Sequence, residues 1–477
     1  MFKNTNIAVK SAIGNWNLNE DLVIKDEGYP LEIVGDMNLN GKALTIERDV
    51  VLKAGTCDVG GGDCEITGNL TQESGQIYVS GGKLEIGGDY RIQKYNTKSK
   101  SYGDSDGGLD ISGENPEVVV GGDFYTQSTN YSWYNSFSAG TLTLKGNFTQ
   151  LKGNEGNFQA DGTKVVFAGS GTQEISFENP ESSYFRYPVF KNTNIAVKSA
   201  IGNWNLNEDL VIKDEGYPLE IVGDMNLNGK ALTIERDVVL KAGTCDVNGG
   251  DCEITGNLTQ ESGQIYVNGG KLEIGGDYRI QKYNTKSQSY GDSEGGLDIS
   301  GANPEVIVGG DFYTQSTGYN CFSAGTLTLK GNFTQLKGSE ENFQAYGTKV
   351  VFAGTGVQEV YFETPSASYI SNPVYQNKKV CYMGKRRIAL SANNGVLTAV
   401  LPGNDNAVSE GIIYSRDSNP TIETPGRTRV AFTETTNDQV TFDASALKGN
   451  TFRAYVIIKD VGGTERIFYS KPLQIAE

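Results

Sequence analysis

The 477-residue chain sets 58 acids against 41 bases, a formal net charge of −17, and it contains no histidine. That balance excludes nucleic acid and anionic membranes as partners, and it excludes every mechanism that needs an imidazole base. Sixty-one glycines against twelve prolines, with 37% hydrophobic residues, describe a large core reached through many tight turns, and no apolar run approaches the roughly 20 residues of a membrane helix, so membrane insertion is not expected.

From Phe2 the chain reads "FKNTNIAVKSAIGNWNLNEDLVIKDEGYPLEIVGDMNLNGKALTIERDVVLKAG", and the same words begin again at Phe190. Trp16 and Cys57 return 188 residues later as Trp204 and Cys245. The interval falls to 185 after "STNYSWYNSFSAG" (128–140) is shortened to "STGYNCFSAG" (316–325). The predicted organisation is therefore a first copy over 1–188, a second over 189–379, and a different segment over 380–477. The N-terminus has no basic-then-apolar signal sequence, and Met1 falls in mid-repeat, where the second copy has Val189. This is expected of a segment cut from a longer array, or of an edge that another element covers.

Within each copy a finer rhythm runs: "LEIVGDM", "LTIERDV", "CEITGNL", "LEIGGDY", "VVVGGDF" and "LTLKGNF" start at Leu31, Leu44, Cys64, Leu84, Val118 and Leu142. The steps from Leu44 to Cys64 and from Cys64 to Leu84 are 20 residues, lengthened to 34 where "KYNTKSKSYGDSDGG" is inserted. Alternation at period 2 with a turn at a fixed place predicts short strands joined by sharp corners, and Gly, Asp and Asn share the corner because it needs positive φ or an Asx turn. A unit of this size cannot bury its apolar face alone, so units must stack about 4.8 Å apart, about nine to a copy. The fold class is all-β: a parallel β-helix, or solenoid, of two near-identical tandem repeats.

Stacking places "GTCDVGGGDC" on "GQIYVSGGKL", so Cys57 matches Ile77, Val59 matches Val79 and Cys64 matches Leu84. Cys57 and Cys64, with Cys245 and Cys252 in the second copy, then point inward while Asp58 and Asp63 point outward, which argues against a Cys/Asp metal site. Two readings follow: buried thiols acting as small hydrophobes, or a disulfide across the coil interior worth roughly 2.5 kcal/mol. An oxidising compartment favours the bridge. Cys321 and Cys381 belong to neither pattern.

Three further groups are candidate sites. The corner residues Asp36, Asp49, Asn69, Asp89, Asp123 and Asn147 form one column, in which stacked carboxylates holding calcium compete with each Asx capping its own turn. In the insertion, Asp104, Asp106 and Asp110, with Asp292, Glu294 and Asp298 in the second copy, are candidate calcium ligands, against the alternative of a solvated acidic loop. Tyr131, Trp133, Tyr134 and Phe137 in "NYSWYNSF" are candidate contacts to a glycan or a host-surface protein, or else cover for the coil.

After residue 380 the words lengthen into "RIALSANNGVLTAVLPG", "EGIIYSRDSNPTI", "TFRAYVIIKDVGG" and "ERIFYSKPLQI". Longer alternating strands with a turn every 10 to 15 residues predict an antiparallel β-sandwich that closes the open coil edge. Open edges also make self-association expected, end to end or through the sandwich, by strand addition.

The "G-N-F-x-Q" phrases at Gly146–Gln150 and Gly331–Gln335, and the "V-x-F-x-G-x-G-x-Q" phrases beginning at Val165 and Val350, resemble repeats of very large secreted or cell-surface proteins of gut-type Firmicutes and related bacteria. The resemblance covers most of residues 1–373. "GIIYSRDSNPTI" and "FRAYVIIKD" are similar to the Ig-like or fibronectin-like module often attached to such proteins. It implies an extracellular or cell-surface location and an adhesin-like or structural role, and it supplies no catalytic residues. The expected function is a non-catalytic rod or assembly subunit without a cofactor, calcium apart. The alternative is a carbohydrate-binding or polysaccharide-degrading β-helix, which by fold analogy would need two positioned carboxylates in one groove.

Overall fold

The computed structural model describes residues 6–7, 9, 12–130, 135–192, 194–384, 388–401, 407–432 and 439–475. The chain is an all-β parallel solenoid of about 17 turns with antiparallel sheets near the C-terminus, and no helix occurs among the described residues. It divides into two compact units, residues 1–256 and 257–477.

In the first unit the coils stack short strands on three faces, with isolated bridges in place of a strand at Phe137 and Ile201. The first face stacks Leu22–Ile24, Leu44–Ile46, Asp63–Ile66 and Lys83–Ile86 in parallel. The second stacks Leu31–Ile33, Val50–Leu52, Leu70–Gln72 and Tyr90–Ile92, and the third Trp16–Asn17, Met37–Asn38, Thr56–Asp58 and Gln76–Val79. Cys57 is level with Ile77, and Cys64 with Leu84, as stacking requires. Every second side chain enters the core, so Leu44, Ile46, Val50, Leu52, Val59 and Val79 are all buried. Each such aliphatic contributes roughly 1.5–3 kcal/mol.

The glycine load has a local cause. Gly55 and Gly75 turn at φ +87° and +80°, and a Cβ on Gly75 would lie 2.3 Å from the carbonyl oxygen of Gly55 one coil below. Only a residue without a side chain lets the backbones approach that closely at this corner.

Further along, the interior of the second face becomes aromatic. Tyr90, Phe124 and Phe148 are consecutive in register, with centroids 5.2 Å and 5.7 Å apart. Rings at this spacing fill the interior of these coils. Buried glutamines brace the same region. The Gln72 amide donates to the carbonyls of Gly75 and Gly108 at 2.9 and 2.8 Å and accepts from the Tyr90 hydroxyl at 2.6 Å. The repeat-phrase glutamines act alike: Gln150 donates to Leu151 O and Asn157 Oδ1, and Gln173 to Leu144 O and Gly146 O.

The first copy does not span a whole number of turns. Its first face has nine strands, from Asn6–Ile7 to Pro188–Phe190, which enclose eight turns. The next strand, Ile195–Val197, stacks on Gln173–Phe177 of the second face and carries Leu210–Ile212, the counterpart of first-face Leu22–Ile24. Trp204–Asn205, the counterpart of third-face Trp16–Asn17, meets the first face, with the Trp204 ring 5.3 Å from Phe190 and the Asn205 carboxamide donating to Arg186 O. One copy therefore equals about eight and a third turns, and the second enters displaced by one face.

In the second unit, parallel stacking continues to strand Val380–Tyr382, which pairs with Gln358–Phe362. Antiparallel pairing begins with Ala389–Asn393, Val396–Val400 and Gln439–Asp443. A second antiparallel sheet joins Thr428–Ala431, Ala407–Ser415, Thr451–Lys459 and Glu465–Tyr469. Leu397 and Ala399 from one sheet and Ile412, Phe452 and Ala454 from the other share a buried core. Val456 and Ile458 pack on Tyr361, Cys381 and Met383 of the last solenoid turns. The amides of Val461 and Gly462 donate to the carbonyls of Val380 and Lys378, occupying part of the edge that the last coil leaves open.

Candidate functional site

The corner residues occupy two columns rather than one. Asp36 stacks with Asn15 and Thr56: Asn15 Oδ1 accepts the Asp36 amide at 2.8 Å, and Asp36 Oδ1 accepts the amide and hydroxyl of Thr56 at 2.9 and 3.0 Å. The other column runs Asp49, Asn69, Asp89, Asp123, Asn147. There each side-chain Oδ1 accepts the backbone amide of the next corner at 2.7–2.9 Å, and Asn147 caps Glu174. The expectation of one column whose members cap their own turns is thus corrected. The two columns close different corners, and each of these side chains caps the neighbouring coil, because stacking brings the next amide within reach.

The insertion is a β-hairpin, Lys94–Asn96 paired antiparallel with Ser101–Gly103. Beyond it the Asp104 carboxylate accepts from Gln127 at 2.9 Å, as Asp292 does from Gln315. The Asp106 carboxylate accepts from Thr129 at 2.9 Å. Asp110 and Asp298 sit at outward positions in strands Gly108–Ile111 and Gly296–Ile299, and Glu294 is exposed. Among the described residues no group of three or more metal-ligating side chains converges on one point.

Cys57, Cys64, Cys245 and Cys252 are buried, unbridged thiols. Burial, with the nearby Asp58 and Asp246 carboxylates, pushes the Cys57 and Cys245 thiols up to about 12. Cys381 is buried as well, and Cys321 is half-buried with its sulfur 3.5 Å from the Tyr346 hydroxyl. Of the aromatic loop, Tyr131, Trp133 and Tyr134 lie outside the described residues. Phe137, expected as a ligand contact, is corrected to a core residue: it is 2% exposed, level with Ile111, and its ring lies 4.4 Å from that of Phe158.

The exposed aromatic residues that gather in a groove belong instead to the hairpin. On the second face of the first unit, the outward residues Glu32, Val51, Thr71 and Arg91 form a floor four coils long. Pro30 and the corner residues Asp49, Asn69 and Asp89 wall one side. Lys53, Glu73 and the hairpin residues Tyr95, Thr97 and Tyr102 wall the other. The enclosed volume is about 570 Å³. Tyr95 and Tyr102 are directly cross-strand, with centroids 5.1 Å apart, and each ring is about 40% exposed. Arg91 fixes the hairpin to the floor: its guanidinium lies 3.7 Å from the Tyr125 centroid and 5.0 Å from that of Tyr102, and it is paired with Asp89 at 2.8 Å. The Tyr125 hydroxyl donates to Asp123 at 2.9 Å, and its ionisation is shifted upward chiefly by burial and secondarily by that bond. Lys53 is tied to Glu32 at 2.6 Å, and that contact raises its ammonium above the ordinary lysine value.

The clamp recurs in the second unit. Arg279 lies 3.8 Å from the Tyr313 centroid and 5.0 Å from that of Tyr290, pairs with Asp277 at 2.7 Å, and Tyr283 and Tyr290 sit 5.1 Å apart. There Asp311, Tyr313, Thr334, Glu359 and Tyr361 also floor a cleft of about 400 Å³ whose other wall is Met383, Ile388, Ile467, Phe468 and Tyr469. The 34-residue step marked the insertion in the sequence, and the Tyr residues at equal distance from its tip were the signal that it pairs with itself.

No protein-family model, curated protein or solved structure matches the chain.

Proposed function

We propose that the chain is a non-catalytic, adhesin-like structural rod segment that works outside a bacterial cell. The observation that carries this reading is the use made of the corner acids. Asp36, Asp49, Asp89 and Asp123 each place an oxygen on the next coil's amide, so their recurrence in both copies is explained by coil-to-coil capping. A carboxylate held in that role is poorly placed to deliver or remove a proton during catalysis. The resemblance of the repeat phrases to cell-surface proteins supports the extracellular location.

The test is to couple the full chain to beads and measure both retention on glycan- or protein-coated surfaces and release of new reducing ends or unsaturated sugars from a polysaccharide panel. Retention without product is expected. Product whose yield scales with protein concentration overturns the non-catalytic reading. A second reading, carbohydrate binding, is favoured by the hairpin groove.

A further inference from the structure

We propose that the groove under the Tyr95–Tyr102 hairpin binds a neutral, unbranched, extended pyranose chain, laid along the solenoid axis. The inference rests on the carbohydrate-binding reading of this groove and names its ligand class.

The argument begins with spacing. Outward groups on the floor recur at the coil repeat of about 4.8 Å, close to the advance per residue of an extended pyranose chain, whereas the side chains on one face of a peptide strand recur at about 6.6 Å and cannot meet successive coils one for one. A peptide also has no edge to extend here, because the strands flooring the groove are paired with coils on both sides. Recognition must come from side chains.

Charge selects among sugars. Both cations of the groove are already engaged, Lys53 with Glu32 and Arg91 with Asp89. Counting Asp49 and Glu73, the groove is left with an excess of negative charge. That excess repels uronates, sulfated sugars and phosphates, while carboxylate oxygens accept strongly from sugar hydroxyls. The rings supply the apolar part. Tyr95 and Tyr102 remain exposed, and they are held by each other and by the Arg91 clamp before any ligand arrives, so little ordering is lost on binding. Both the ring pair and the arginine clamp are rebuilt in the second copy with Tyr283, Tyr290 and Arg279.

The experiment is titration calorimetry on the full chain with a neutral β-1,4-linked glucose hexamer and with a galacturonate hexamer, backed by an array of neutral unbranched glycans. Binding of a neutral glycan is expected, at least tenfold tighter than the uronate. It should weaken at least tenfold in Tyr95→Ala/Tyr283→Ala, with the β-sheet circular dichroism spectrum retained, since each ring packs on its hairpin partner outside the solenoid core. Tyr78→Ala/Tyr266→Ala serves as the control, since Tyr78 is exposed on the third face; it should bind as the unaltered chain does. Absence of binding to any neutral glycan, equal or tighter uronate binding, or full affinity in the Tyr95/Tyr283 variant overturns the inference and leaves bead retention on a protein-coated surface free to support the adhesin reading. Binding accompanied by product release upholds the groove and overturns the non-catalytic reading instead.

Discussion

Asp49 holds Asn69 from the coil below: one carboxylate oxygen accepts both the Asn69 backbone amide at 2.7 Å and its carboxamide at 3.1 Å. What the cap requires is an acceptor, and the charge is incidental. Asp49→Asn should therefore be nearly neutral, while Asp49→Ala should cost about 1 kcal/mol, the usual loss for an end cap. Hydrogen exchange at the Asn69 amide is the direct readout. Protection should survive the first change and fall in the second; equal protection in both would remove the ladder from the stability argument.

The coil thiols give a second expectation. With Cys57 and Cys245 pushed up to about 12 by burial, almost no thiolate exists at pH 8, so Cys57, Cys64, Cys245 and Cys252 should resist a disulfide-exchange reagent until denaturant is added. Half-buried Cys321 should react in the native chain. Intact-mass mapping that finds Cys57 linked to Cys64 in natively folded protein would contradict the thiol assignment.

Gln72 is buried with three hydrogen bonds, to Gly75, Gly108 and Tyr90. Gln72→Leu should destabilise by roughly 2–3 kcal/mol because it strands those partners in an apolar interior, and Tyr90→Phe by about 1 kcal/mol. Thermal unfolding compares them. Equal losses would mean that packing volume, and not the bonds, sets the cost.

Acid sensitivity should be found near Asp460. Burial works to raise its carboxyl, but the Thr464 and Gly462 amides and the Arg466 guanidinium outweigh burial and hold it below the ordinary carboxylate value. A depressed native value means that the stabilisation is complete above the unfolded carboxylate value near 3.9 and is lost as pH falls through the native one. Tm measured from pH 6 down to about 2 should show Asp460→Asn well below the unaltered chain at the neutral end, with the gap closing in acid. A gap constant with pH would show that the carboxylate's charge contributes nothing.

The coil path was legible because it repeats. The 20-residue step and the alternation of apolar letters placed Cys57 against Ile77 and Cys64 against Leu84, and the structure has both pairs. What escaped were features whose letters mislead. Gln72 and Gln150 are polar residues at inward positions, legible only once the polar groups of neighbouring turns that they satisfy are placed around them. Phe137 read as a loop aromatic because its neighbours are polar, yet its place level with Ile111 in the next coil is an inward one. Asp36 and Asp49 share a phrase but close different corners, since a period-2 phrase looks the same on any face. Of the candidate ligand-binding residues, the sequence pointed to the trimmed aromatic loop, whereas the exposed rings that line a groove lie in "KYNTKSKSYG", part of an insertion that stands out in the sequence for its length and its acids but not for its tyrosines.

The extra third of a turn in the first copy deserves its own geometry. Glu32 looks out from the second face, but its duplicate Glu220 belongs to a strand bridged to Ile201, and Gly202 beside it sits over Pro180 and Tyr184 of the third. Duplication here works like a screw thread and not like a ruler: identical words emerge at a new bearing. A rigid partner sliding straight along this unit past Glu32 would miss Glu220, whereas one able to swing around the stack would meet it.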